Sequence, residues 1–175
     1  MTAANQDPCL GFVFPEEGGF TDDPLDPGGA TNLGITLNEL SAWRHTAVTV
    51  QDVRDLTRDE AAAIYRANYW NVLLADQLPP GIDLVAFDAG VNTGTPRAAR
   101  FLQQIVGTTV DGHIGPQTLA ATAAADAGDV IDRYTEARAA FYASLPTFNH
   151  FGAGWLARTQ RARTLARQLA GLTAA

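Results

Sequence analysis

Positions 16–36 read EEGGFTDDPLDPGGATNLGIT, a segment with five carboxylates (Glu16, Glu17, Asp22, Asp23, Asp26), two Gly-Gly pairs and two prolines. Carboxylates gathered in this way can share acid–base work. One protonates a leaving oxygen and a second serves as base, nucleophile or electrostatic partner, as cleavage of a glycosidic bond requires. Glu17 suits the first role, because it ends an apolar run and Gly18-Gly19 leave space beside it for a bulky substrate. Asp26 lies nine residues on, across a loop that can fold back and bring a second carboxylate over a cleft. Thr31 and Asn32 follow, where a hydroxyl or an amide can position a water. Each residue also has a plainer reading: a solvated helix-end carboxylate for Glu17, a turn cap before proline for Asp23 and Asp26, a bond to the loop backbone for Thr31. Calcium is a further use for the acids. The spacing and closing glutamate of an EF-hand are missing, however, and prolines interrupt the run, so no metal site is expected.

The elements that must hold this segment are helices. Asp7-Pro8 fits a helix start, Leu10, Phe12, Val13 and Phe14 give it an apolar stripe, and Gly18-Gly19 stop it, so a short helix is expected over 8–17. Pro15 distorts its last turn. After the acidic loop, 30–35 is the only expected β piece. Thr36 with Glu39, Thr49 with Asp52 and Thr57 with Glu60 are capping boxes ahead of helices at 37–45, 50–56 and 58–71. Leu78-Pro79-Pro80-Gly81 breaks the chain, and 82–91 is apolar nearly all round, which predicts a buried central helix. Further helices are expected over 95–106, 116–122, 129–145 and 154–169. The fold class is α.

Outside the acidic segment the polar and aromatic residues divide between packing and binding. Asp88 and Asn92 sit one helical turn apart on an otherwise apolar helix, and tying down the acidic loop is the use expected of them, ahead of contact with substrate. Tyr65, Tyr69 and Trp70 could stack on a ligand, but aromatics at helical spacing more often belong to the core, and Phe151 and Trp155 carry the same bias. Arg158, Arg161, Arg163 and Arg167 read as a solvated helix face. His45, His113 and His150 have no metal-ligand spacing, and Cys9 has no convincing histidine partner, so zinc or thiol peptidase chemistry is weak.

The 175 residues suffice for one ordinary domain with a real core. All twelve basic residues are arginine and the net charge is −7, which leaves no electrostatic footprint for nucleic acid or an anionic membrane. No stretch approaches the roughly twenty apolar residues of a spanning helix. The run CLGFVF has no basic residue ahead of it, so cytosolic synthesis without a secretory signal is expected, with release by some other factor. No cofactor is expected, and a monomer is the default.

The segment EGGFTDDPLDPGGATNLGIT resembles the EGGY signature of glycoside hydrolase family 108, phage and bacterial muramidases, with Phe20 where tyrosine is usual and Glu16 where another residue, commonly histidine, stands. The likeness continues through LTRDEAAAIYRANYW and FDAGVNTG, and VDGHIGPQTLAA and FNHFGAGWLARTQR resemble the peptidoglycan-binding segment that accompanies the family. The resemblance implies a lysozyme-like α fold, with a catalytic region over 1–95 and a helical peptidoglycan-binding-like segment over 96–175 packed on it as one compact unit. It also implies hydrolysis between N-acetylmuramic acid and N-acetylglucosamine with Glu17 as the acid. Glu16 is a minor rival for that role, and the second group is Asp26, Asp23 or Thr31, with Asp26 favoured on spacing. Phe20, Asn32, Asp23, Tyr69 and Asn92 are the expected substrate contacts. The setting implied is a phage or prophage-like endolysin that a holin or other export factor releases to the wall. Two rivals stand beside it: a lytic transglycosylase, and a non-catalytic wall-binding or secretion-assisting protein.

Overall fold

The computed structural model describes residues 6–22 and 29–172. Asp23 and Asp26, both expected at the site, lie outside the described residues. Among those described the architecture is helical with one two-stranded sheet, and no helix is long and apolar enough to cross a membrane. Contacts divide the chain into Leu10–Asn68 and a second unit of Met1–Cys9 with Tyr69–Ala175. The apolar helix at 82–93, buried among later helices, falls in the second unit.

In the first unit, α1 (Gln6–Glu17) contributes its C-terminal half, with Val13 and Phe14 buried. It starts earlier than Pro8 and ends at Glu17, where Gly18 takes φ +80. Strands β1 (Thr31–Asn32) and β2 (Ile35–Thr36) form an antiparallel hairpin with Asn32 opposite Ile35. Its two-residue turn has Leu33 at φ 51 and Gly34 at φ 75, the doubly left-handed geometry that matches strand twist. Thr21 adds a bridge to the hairpin through paired bonds with Thr31, Thr21 N–H to Thr31 O at 2.8 Å and Thr31 N–H to Thr21 O at 2.9 Å. Helices α2 (Leu37–Arg44), α3 (Val50–Arg54) and α4 (Arg58–Tyr65) follow, the first two opened by complete capping boxes at Thr36/Glu39 and Thr49/Asp52. At Thr57 only half of the expected box forms. The hydroxyl accepts from Glu60 N–H, but the Glu60 carboxylate takes two bonds from Arg44, at 2.9 and 2.7 Å. The single helix expected over 58–71 changes at its end into a π segment, Arg66–Trp70.

In the second unit a 3₁₀ turn (Ala75–Gln77) precedes α5 (Ile82–Thr93), which packs against α6 (Thr95–Val106), α8 (Ala127–Ala143) and α9 (Phe148–Leu169). Every α5 residue from Ile82 to Gly90 is buried, as the apolar pattern predicts. Each large apolar side chain so buried is worth about 1.5–3 kcal/mol over exposure. Gly81 opens α5 at φ +86 in close approach to α9: a Cβ there would lie 2.2 Å from Ala166 O. Asp83 Oδ1 accepts from the Gly81 and Leu84 amides, satisfying donors at the helix start. Helix α7 (Pro116–Ala124) packs on α6. Helix α9 begins six residues before the expected start at 154, because the Gly-rich stretch FGAG is accommodated inside the helix; a Cβ at Gly152 would meet the Phe148 ring at 2.5 Å.

Candidate active site

Glu17 is the last residue of α1, half-buried, with the exposed Gly18 and Gly19 beside it. What holds its side chain from the other direction is the hairpin turn. An ideal Cβ at Gly34 would lie 2.9 Å from Glu17 Cβ, 3.1 Å from Glu17 Cγ and 2.3 Å from the Tyr65 hydroxyl. Glycine is therefore required twice at position 34, by its φ and by the acid packed on it. Tyr65, buried in α4, donates its hydroxyl proton to Leu33 O at 2.9 Å and meets Phe14 of α1 edge to face at 5.6 Å between ring centres. One aromatic thus pins the turn and the helix that carry and flank the carboxylate.

Thr31 is half-buried on β1 and its Oγ1 donates to Gly29 O at 3.3 Å. Because side chains alternate along a strand, Thr31 and its partner Thr36 share the face opposite to Asn32 and Ile35, both buried. Asn32 has a structural commitment: its amide nitrogen donates to Val53 O at 3.0 Å and Arg54 O at 3.1 Å. It thereby caps the C-terminal carbonyls of α3 and fixes the hairpin to that helix. Phe20 is half-buried with the Arg54 guanidinium 4.2 Å above its ring, so that face of the ring is occupied by a cation. Arg44 braces the same unit by joining Glu60 and Asp52. The hydrogen bond from Arg44 holds the Glu60 carboxyl below its ordinary range, and bonding from Thr49 does the same for Asp52.

The remaining expected residues lie in the second unit. Tyr69 is half-buried in the π segment, and Trp70 is core, donating its indole N–H to Asp76 at 2.9 Å. Asp88 is fully buried and binds two arginines. Arg158 donates to Oδ1 from Nε at 2.9 Å and Nη2 at 2.7 Å, and Arg138 donates to Oδ2. Arg158 is consequently buried, not part of a solvated face, because a charge taken into the core needs its counter-ion. Arg163 and Arg167 both pair with Asp132, at 2.7 and 2.9 Å, and the bond from Arg163 lowers the Asp132 carboxyl below its ordinary range. Asn92 accepts a hydrogen bond from the Tyr142 hydroxyl. The Asp-Gly turn at 111–112 is held internally by Gln103, whose amide donates to Asp111 at 2.7 Å and His113 O at 3.0 Å and accepts from Gly112 N–H at 2.9 Å.

Burial pushes the Cys9 thiol far above its ordinary range, which removes it from thiolate chemistry. Among the described residues no group of three or more His, Cys, Asp or Glu could hold a metal ion. The arrangement therefore offers a half-buried carboxylic acid on a helix end, pressed on a rigid hairpin that carries a hydroxyl, which is the equipment for protonating a leaving oxygen and orienting a nucleophile. Gly34 and Tyr65 escape sequence reasoning as positioning residues. Leu-Gly is a poor advertisement for a turn that needs two positive φ values, and Tyr65 reads as an ordinary core aromatic.

Comparison with known proteins adds a lineage to this geometry. Residues 10–94 match the family model glycosyl hydrolase 108, and residues 97–160 match one described as a predicted peptidoglycan domain. The structure of SagA from Brucella abortus is similar over 97% of this chain and 97% of that one, with 42% identity and a TM-score of 0.85. No curated protein matches the chain.

Proposed function

This chain belongs to the glycosyl hydrolase 108 family, as a peptidoglycan-directed glycoside hydrolase, and on that premise we propose that it is an N-acetylmuramidase with Glu17 as its general acid. The bond it cleaves is the β-1,4 link between N-acetylmuramic acid and N-acetylglucosamine. Asp26 supplies the second carboxylate and Thr31 orients the attacking water. The observation that carries the reading is the close packing of Glu17 on Gly34, the turn residue of the hairpin whose first strand bears Thr31. The acid is fixed by a frame of three elements, α1, the hairpin and α4, and does not hang from a loop. The biological setting is a phage or prophage-like endolysin, made in the cytoplasm, released by a holin or other export factor, and acting as a monomer on the wall for host lysis.

The test is digestion of isolated sacculi by wild type and Glu17→Gln, read by the mass of the released fragments. Wild type yields reducing muramic acid ends, and the variant loses roughly 10²–10⁴-fold in rate. Anhydro-muramic ends from wild type would make it a lytic transglycosylase, and normal digestion by the variant would remove Glu17 from the role.

A further inference from the structure

A hollow of about 240 Å³ opens where the C-terminal end of α5, the first turn of α6, the last turns of α8 and the N-terminal half of α9 meet, all within the second unit. Its polar wall is Asn92, Thr93 and Arg97, and its apolar wall is Phe141, Leu145 and Trp155. Arg97 is exposed and lies over the Phe141 ring at 4.1 Å, and it has no acidic partner among the described residues. Arg97 thus stands as an open guanidinium at the mouth of the hollow, whereas Arg44, Arg133, Arg138, Arg158, Arg163 and Arg167 pair with acids.

The polarity of Asn92 is set from below. Arg138, fixed on Asp88, donates from Nε to the Tyr142 oxygen at 2.9 Å, and the Tyr142 proton then goes to Asn92 Oδ1. With Oδ1 accepting from Tyr142, Asn92 keeps its NH₂ group as a donor, and Asn92 and Arg97 both line the hollow. Thr93 donates its proton to Ala89 O at 2.8 Å. Two donors, one of them cationic, next to an apolar wall select an anionic acceptor that carries a small alkyl group. The volume lies below the ~300–1,000 Å³ of an ordinary ligand cavity, a size that suits the end of a peptide.

From this we infer that the hollow is a second wall-binding subsite, which takes the terminal alanyl carboxylate of a peptidoglycan peptide stem through Arg97 and Asn92, its methyl against Trp155 and Leu145. The inference rests on the peptidoglycan-directed reading but not on the chemistry of Glu17. It gives the enzyme a hold on the peptide stem that is separate from the carboxylates acting on the glycan.

The test uses the full chain and a synthetic stem peptide ending in D-alanine, with a free or an amidated C-terminus, in a titration followed by NMR or calorimetry. The free acid should bind and the amide should bind roughly tenfold or more weakly, as loss of a charge-assisted pair requires. Arg97→Gln and Asn92→Asp should each lose the free acid, Arg97→Lys should recover part of it, and circular dichroism should show all three folded, since both side chains are exposed. Glu17→Gln should bind the stem like wild type. Equal affinity for acid and amide, or undiminished binding by Arg97→Gln, overturns the subsite while leaving a muramidase that still releases reducing ends untouched. Normal stem binding by a chain that releases no reducing ends would overturn the muramidase reading and keep the subsite.

Discussion

At the scale of single residues the account turns on Gly34. Its backbone stands at φ +75, and any Cβ would strike the Tyr65 hydroxyl and the Glu17 stem. Gly34→Ala should therefore do two things at once: lower stability by about 1–3 kcal/mol through left-handed strain, and displace the acid so that sacculus digestion falls further than the stability loss explains. Thermal unfolding and a clearing assay at a temperature where the variant is fully folded check this, and wild-type turnover by a normally folded variant would sink it. Asp88 makes the contrasting residue-scale case. Removing its charge leaves Arg138 and Arg158 buried without a counter-ion, so Asp88→Asn should destabilise by about 3–5 kcal/mol in chemical denaturation. A loss under about 1 kcal/mol would show the cluster to be open to water, against the burial of all three side chains.

At the scale of elements the hairpin is the part with a job and α3 is its anchor. The Asn32 amide supplies two donors to the end of α3, and Asn32→Ala should lower the midpoint of unfolding by the equivalent of about 1–3 kcal/mol. Activity should follow stability in that variant and reach wild-type level on cooling. A selective loss of activity at full stability would restore Asn32 to the substrate. Here the limits of the sequence are visible in particular residues. The capping threonines Thr36 and Thr49, the apolar α5 and the stop at Gly18 were legible because each is a local rule written over a few neighbouring positions. The partners of Asp88 lie 50 and 70 residues away, and the turn of Arg158 into the core follows only from that pairing. The same holds for Asn32, whose amide serves a helix some twenty residues on, and for Tyr65, whose hydroxyl reaches back to Leu33. A helical period says which face is apolar, but it does not say which polar group will find which carbonyl across the fold.

At the scale of the whole molecule, charge sets the response to pH. Asp52, Glu60 and Asp132 have carboxyls held below their ordinary values in the folded state, by Thr49, Arg44 and Arg163 respectively. A lowered folded value contributes stability that is complete above the unfolded carboxylate range near pH 4 and is lost as pH falls through the folded values. The unfolding temperature should therefore be flat from about pH 5 upward and drop below about pH 4, and Asp132→Asn should show a shallower drop than wild type. An acid limb identical in the two proteins would remove the Asp132 pairs from that response. The proposed function at this scale is one bond broken by one acid, and the digestion of purified sacculi tests that proposal most directly. Muramidase action through Glu17 predicts reducing N-acetylmuramic acid ends from wild type and their near-complete loss in Glu17→Gln. Anhydro ends, or equal release by the two proteins, would contradict it.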